Sequence, residues 1–162
     1  MAYDALVESV ELIRTGAATP VRRLSRRRRF APMSVDVGRD FAVTAFARRG
    51  VGCVLYETHV LALRKGLWVL LGGGGGGGDD ALLADRPGWV PGFGRWISHA
   101  TVLVSSEVHT VTVAGRRIAV PWHGRPVVAW TDRRPPRWTT LIGPLPRSIS
   151  RPRPGSSGRA AR

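Results

Sequence analysis

The sequence predicts a mainly β fold: an antiparallel β-sandwich or barrel behind one N-terminal helix, with a disordered basic C-terminal tail. Two observations predict the β part. Beyond residue 40, short β-branched and aromatic runs return about every 8 to 12 residues between turn residues, the spacing of sandwich strands. Glycine (20 residues) and proline (12) fill about a fifth of the 162 positions, which favours short strands and many turns over long helices. A third observation, 43% hydrophobic residues, supplies enough apolar surface for the core of one ordinary domain.

The helix is read over residues 3–15. Asp4 can cap its start, Tyr3, Leu6, Val7, Val10 and Ile13 recur at three- and four-residue spacing, and Gly16 marks the stop. So short a helix is marginal alone, and its apolar stripe must be covered by something. The following segment, "PVRRLSRRRRFAP", holds six arginines between positions 22 and 29 and reads as an exposed connection. A helix on such a tether is expected to dock Tyr3, Leu6, Val10 and Ile13 onto another subunit or a partner protein, in the helix-in-groove manner.

The hydrophobic period then changes to two. "DFAVTAFARR" (40–49) alternates Phe41, Val43 and Ala45 against Ala42, Thr44 and Phe46. "GCVLYETH" (52–59) reads as a strand that buries Cys53, and "VLALRKGLWVLL" (60–71) as a hairpin turning at Lys65-Gly66. Residues 72–96 read as a loop rich in glycine and proline. The stretch 99–113 must bend near Ser105-Ser106, and further strands are expected at 116–122, 126–132 and 137–143. Between Val108 and Asp132 the cadence resembles that of immunoglobulin-like sandwich strands, without the cysteine and tryptophan spacing of a true immunoglobulin domain. From Pro144 onward almost nothing is apolar. The expected organisation is a helix at 1–18, an arginine-rich linker at 19–33, a β domain at 34–143 and a disordered tail at 144–162.

Charge narrows the partners. The chain carries 25 basic against 11 acidic residues, net +14, and only Lys65 among the basic residues is not arginine. Such a field attracts polyanions: nucleic acid, an anionic membrane or an acidic protein surface. Arg22, Arg23, Arg26, Arg27, Arg28 and Arg29 are the candidate polyanion contacts, since clustered arginines neutralise several phosphates without reading sequence. No helix-turn-helix, zinc-finger or RNA-recognition pattern accompanies them. Trp68, Trp122 and Trp130 lie in strand patterns and are expected to fill the core.

The glycine run of "WVLLGGGGGGGDD" (68–80) is not a phosphate loop. That chemistry needs a lysine and a hydroxyl residue opening a helix, whereas here two aspartates follow. The run is expected to be slack chain. A sharper feature is the repeated Glu-x-His step, Glu57 with His59 and Glu107 with His109. Residues two apart on a strand share a face, so each carboxylate would sit beside its imidazole. Two such strands side by side would suit a metal or a general acid–base pair. No nucleophile elbow or zincin spacing supports catalysis, and no cofactor motif is present.

A single cysteine precludes an internal disulfide, the acidic start is unlike a signal peptide, and no stretch reaches membrane-spanning length, so a cytoplasmic protein is expected. The expected function is a non-catalytic binding or assembly module working through its helix and basic segments, with a protein partner or self-association. The alternatives are an electrostatic nucleic-acid binder and a metal-dependent or hydrolytic enzyme using the Glu-x-His residues.

Overall fold

The computed structural model describes residues 3–16, 24–25, 27, 29–77, 88–90, 95–132, 134 and 136–142. The chain runs α1 (Ala5–Thr15), β1 (Phe30–Val37), β2 (Phe41–Arg49), β3 (Val54–Arg64), β4 (Leu67–Gly77), β5 (Gly88–Val90), β6 (Arg95–Thr101), β7 (Val108–Val113), β8 (Arg116–Ala119), β9 (Val127–Trp130) and β10 (Trp138–Ile142). It is mainly β. The strands form a four-stranded antiparallel sheet in the order β1-β2-β3-β4 and two three-stranded sheets, β10-β7-β8 and β5-β6-β9. Among the described residues there is no closed barrel, and no helix is long and apolar enough to cross a membrane.

Local chemistry sets the hairpins. Lys65 and Gly66, with φ of 51° and 80°, turn β3 into β4, and Ala114 and Gly115, at 47° and 78°, turn β7 into β8. Both central residues at positive φ match the right-handed twist of the flanking strands. Asp4 caps α1 as expected, its Oδ1 accepting from the backbone N–H of Leu6 at 2.9 Å and of Val7 at 3.0 Å.

β9 lies between two cores and is buried on both faces. Val127 and Ala129 join Phe41, Val43, Ala45 and Ile97 against the four-stranded sheet, while Val128 and Trp130 join Val108, Val111, Val113 and Ile118 on the other side. The backbone of β9 is satisfied by side chains of β1: Ser34 Oγ accepts from Val127 N at 2.9 Å, and Asp36 Oδ2 from Ala129 N at 2.8 Å. Arg116 of β8 closes the junction, donating to both carboxylate oxygens of Asp36, at 3.2 and 2.7 Å, and to the Ala129 carbonyl. Asp36 is 3% exposed, and a buried carboxylate is tolerable there because each oxygen is hydrogen-bonded.

Several expectations are corrected. The glycines at 72–77 are not slack: they extend β4 and pair with β3 from Gly72↔Val60 to Gly77↔Leu55. Their conformation is fixed by the neighbouring strand, which supplies the ladder that glycine alone does not favour. Within the expected loop, residues 88–90 also form β5. The linker expected at 19–33 gives way at Phe30 to β1, and the expected tail, 144–162, lies outside the described residues, as do Arg22, Arg23, Arg26 and Arg28. Cys53 is exposed in the bend before β3 rather than buried in a strand.

Candidate functional site

The helix is seated on its own chain. α1 lies across the four-stranded sheet with Ser9 and Leu12 turned inward, at 0% and 3% exposure. Ser9 Oγ meets Thr44 Oγ1 at 2.7 Å, both residues fully buried. Tyr3 Oη is hydrogen-bonded to His59 Nε2 at 2.6 Å, and its ring stands 5.0 Å from Phe30 and 6.0 Å from Phe46. Leu6, Val10 and Ile13 are half-buried along the flanks. The stripe is thus partly covered by the chain's own sheet.

The Glu-x-His residues separate into two unrelated places. Glu57 and His59 do share a face of β3, as the period of two requires, but that face lies beneath α1. Glu57 is paired with Arg48 at 2.5 Å and stands 3.9 Å from His59 Nε2, while the Arg48 guanidinium lies over the Tyr3 ring. Burial, and then the Glu57 carboxylate, pushes the Tyr3 phenol well above its usual range. Burial also lowers the His59 pKa, with Glu57 opposing and Arg48 assisting. These groups pair with one another beneath the helix. Glu107 is exposed ahead of β7 and His109 is half-buried on it, in a different sheet from β3. Among the described residues no group of three or more His, Cys, Asp or Glu could hold a metal ion. The expected convergence of the two pairs does not occur.

An open cleft of about 860 Å³ lies where the start of β1, the end of β2 and the start of β3 meet the turn before β9. Arg49, Cys53, Tyr56, Trp122, His123 and Arg125 line it, with Leu24, Met33 and the glycines of the bend after β2. Among the described residues no lining residue is acidic. Its far wall is a turn, Pro121 to Arg125, tied to β1 through His123. The Arg125 backbone N–H donates to His123 Nδ1 at 3.2 Å, so the ring proton is on Nε2, which donates to the Met33 carbonyl at 2.8 Å. Burial lowers the His123 pKa and the nearby Arg125 charge adds to this, against the Met33 bond, so the ring stays neutral near pH 7.

This turn presents Trp122. The indole packs edge-on against His123 with ring centres 5.4 Å apart, yet stays 61% exposed. The expectation that Trp122 fills the core is therefore corrected, whereas Trp130 does fill it at 3% exposure. The arginine-rich segment reaches the same cleft. Leu24 lines it, and the Arg29 carbonyl accepts from Arg49 N at 2.7 Å, adding the end of that segment to the edge of β2. Arg27, Arg29 and Arg49 are exposed. Among the described residues the cleft thus combines flat aromatic surface with guanidinium groups and no carboxylate, a combination suited to a ligand that is both anionic and aromatic. No single stretch announces it, because its walls come from positions 24–56 and 121–125. The one local signal was a tryptophan next to a turn, "PWHGR", where exposure is easier than in a strand. No family model, curated protein or solved structure matches the chain, so these residues alone carry the functional reading.

Proposed function

We propose that the chain is a binding module that takes an extended single-stranded nucleic acid into the basic, aromatic cleft. The observation that carries this reading is Trp122, held edge-on by His123 and left 61% exposed beside Arg49 and Arg125. Sequence-tolerant binders of single strands combine a positive groove with aromatic faces on which bases stack. The net charge of +14 supports capture, and the exposed Arg27 and Arg29 just before β1 add basic surface beside it. A duplex hides its base faces, so only its phosphates would engage.

The test is fluorescence anisotropy with a labelled single-stranded oligonucleotide and its duplex across a salt series. Tight single-strand binding is expected, with Trp122→Ala weakening it by about 1–3 kcal/mol, the worth of one stacked base. Arg49→Gln and Arg125→Gln should each flatten the log–log salt slope by roughly 0.7 for every phosphate that the variant no longer neutralises. Equal affinity of Trp122→Ala and the unaltered protein would remove the stacking site. Binding only to acidic proteins would replace the reading with a protein-contact surface.

A further inference from the structure

The cleft opens where one face of the four-stranded sheet runs out of cover. Along β2, Phe41, Val43 and Ala45 point from that face into the core, and Ala47 is the next residue outward. Along β3 the same face carries Val60, packed against the core, and then Thr58, hydrogen-bonded to His99 Nε2 of β6 at 3.1 Å. Tyr56 follows. Glu57 and His59 belong to the opposite face, beneath α1. Among the described residues the cover therefore ends at Thr58, and Ala47 and Tyr56 line the cleft just beyond it.

The row that crosses the sheet at this level is Ala31↔Ala47↔Tyr56↔Gly76. One aromatic ring thus stands in a row whose other members carry a methyl group or no side chain, so its in-row neighbours leave it uncovered. The chain has two tyrosines. Tyr3 is engaged by the fold, its hydroxyl on His59 and its ring against Phe30 and Phe46. Tyr56 makes no side-chain hydrogen bond or ring contact with another described residue. Arg49, two positions beyond Ala47 on the same face, brings a guanidinium to the same end of the sheet. The Trp122 turn is tied to Met33 of β1, whereas Tyr56 stands on β3, two strand spacings or about 10 Å further into the sheet. A stacked strand advances only about 3.4 Å per nucleotide, so rings on these two walls suit bases that have come apart from one another.

We propose that Tyr56 is a second stacking platform, so that the cleft takes an unstacked single strand with one base on Trp122, another on Tyr56 and the backbone between them on Arg49. This rests on the single-strand reading above and narrows it, since a lone nucleotide fills only one platform. Tyr56→Leu, with an unchanged circular dichroism spectrum, should weaken oligonucleotide binding about 5- to 150-fold, the range for one stacked base. Tyr56→Phe keeps the ring and should bind as the unaltered protein does. Combined with Trp122→Ala, the two losses should multiply, as they do for separate sites. Should Tyr56→Leu misfold, ultraviolet crosslinking of a bromouracil-containing oligonucleotide to the unaltered protein, mapped by mass spectrometry, decides instead. Adducts are expected on both Tyr56 and Trp122. If Trp122→Ala weakens binding while Tyr56→Leu does not, or if no adduct forms at Tyr56, the inference is overturned and the cleft reading stands. Losses that fall short of their product would put both rings on one base and overturn it too. Failure of the unaltered protein to bind any single strand removes both readings together.

Discussion

Gly73 lies opposite His59 in the β3–β4 ladder, and the absence of its side chain is what lets that imidazole lie close. A Cβ at position 73 would stand 2.6 Å from His59 Nδ1 and 2.8 Å from the Thr58 carbonyl, both too close to coexist. One residue earlier, a Cβ on Gly72 would meet nothing within 4 Å. Gly73→Ala should therefore cost about 1–3 kcal/mol through forced displacement of a packed neighbour. Gly72→Ala should be neutral or stabilise by up to about 1 kcal/mol, by restricting the unfolded chain. Urea denaturation of the two variants decides it, and equal midpoints would show that close approach is not what demands glycine at 73. The sequence shows seven identical residues; the difference between adjacent ones is written in β3, not in the run. Asp36 was equally silent, since nothing near "SVDVG" says that its carboxylate will serve the amides of a strand some 90 positions away.

At the scale of elements, the ends of α1 were legible and its inward face was not. Asp4 and Gly16 cap the helix as the sequence suggested, because capping chemistry is local. The line that is buried deepest runs through Ser9 and Leu12, between the apolar residues rather than along them. Hydrophobic periodicity misses this, because the partner of Ser9 is a hydroxyl, Thr44, on a strand 35 positions away. β1 was hidden for a similar reason: its buried positions include Ser34 and Asp36, which break an apolar alternation. The hairpin at Lys65-Gly66, by contrast, was readable, because turn chemistry is short-range. The helix seat makes a prediction of its own. Ser9→Leu should destabilise the protein by about 1–3 kcal/mol, through overpacking and loss of a buried hydroxyl pair. Val7→Ser, at a position 62% exposed, should fall within about 0.5 kcal/mol of the unaltered protein. Thermal melts of both variants distinguish a helix locked on its sheet from one loosely tethered, for which the two would melt alike.

Across the whole molecule, two histidines far apart in sequence hold separate parts of the fold in the neutral form. His59 ties α1 to β3 through Tyr3, and His123 ties the Trp122 turn to β1 through the Met33 carbonyl. Burial lowers both pKa values below the ordinary 6.5, so the unfolded chain takes up these protons first as the pH falls. The sign follows from linkage: stability is fully present above about 6.5 and is lost progressively as the pH drops below it toward the folded-state values. At His123 the added proton would go to Nδ1, facing the Arg125 N–H that now donates to it, so two donors would confront each other. Calorimetry from pH 8 downward, stopping above the carboxylate range, should show a melting temperature that is flat and then falls below about 6.5, by roughly 2–4 °C for each kcal/mol of stability removed in a chain of this size. His59→Gln and His123→Gln should each make that fall shallower. Oligonucleotide binding should respond to His123→Gln and not to His59→Gln, because only the former supports the cleft. A melting temperature that rises on acidification, or a fall unchanged in both variants, would mean that neither ring is held neutral by the fold.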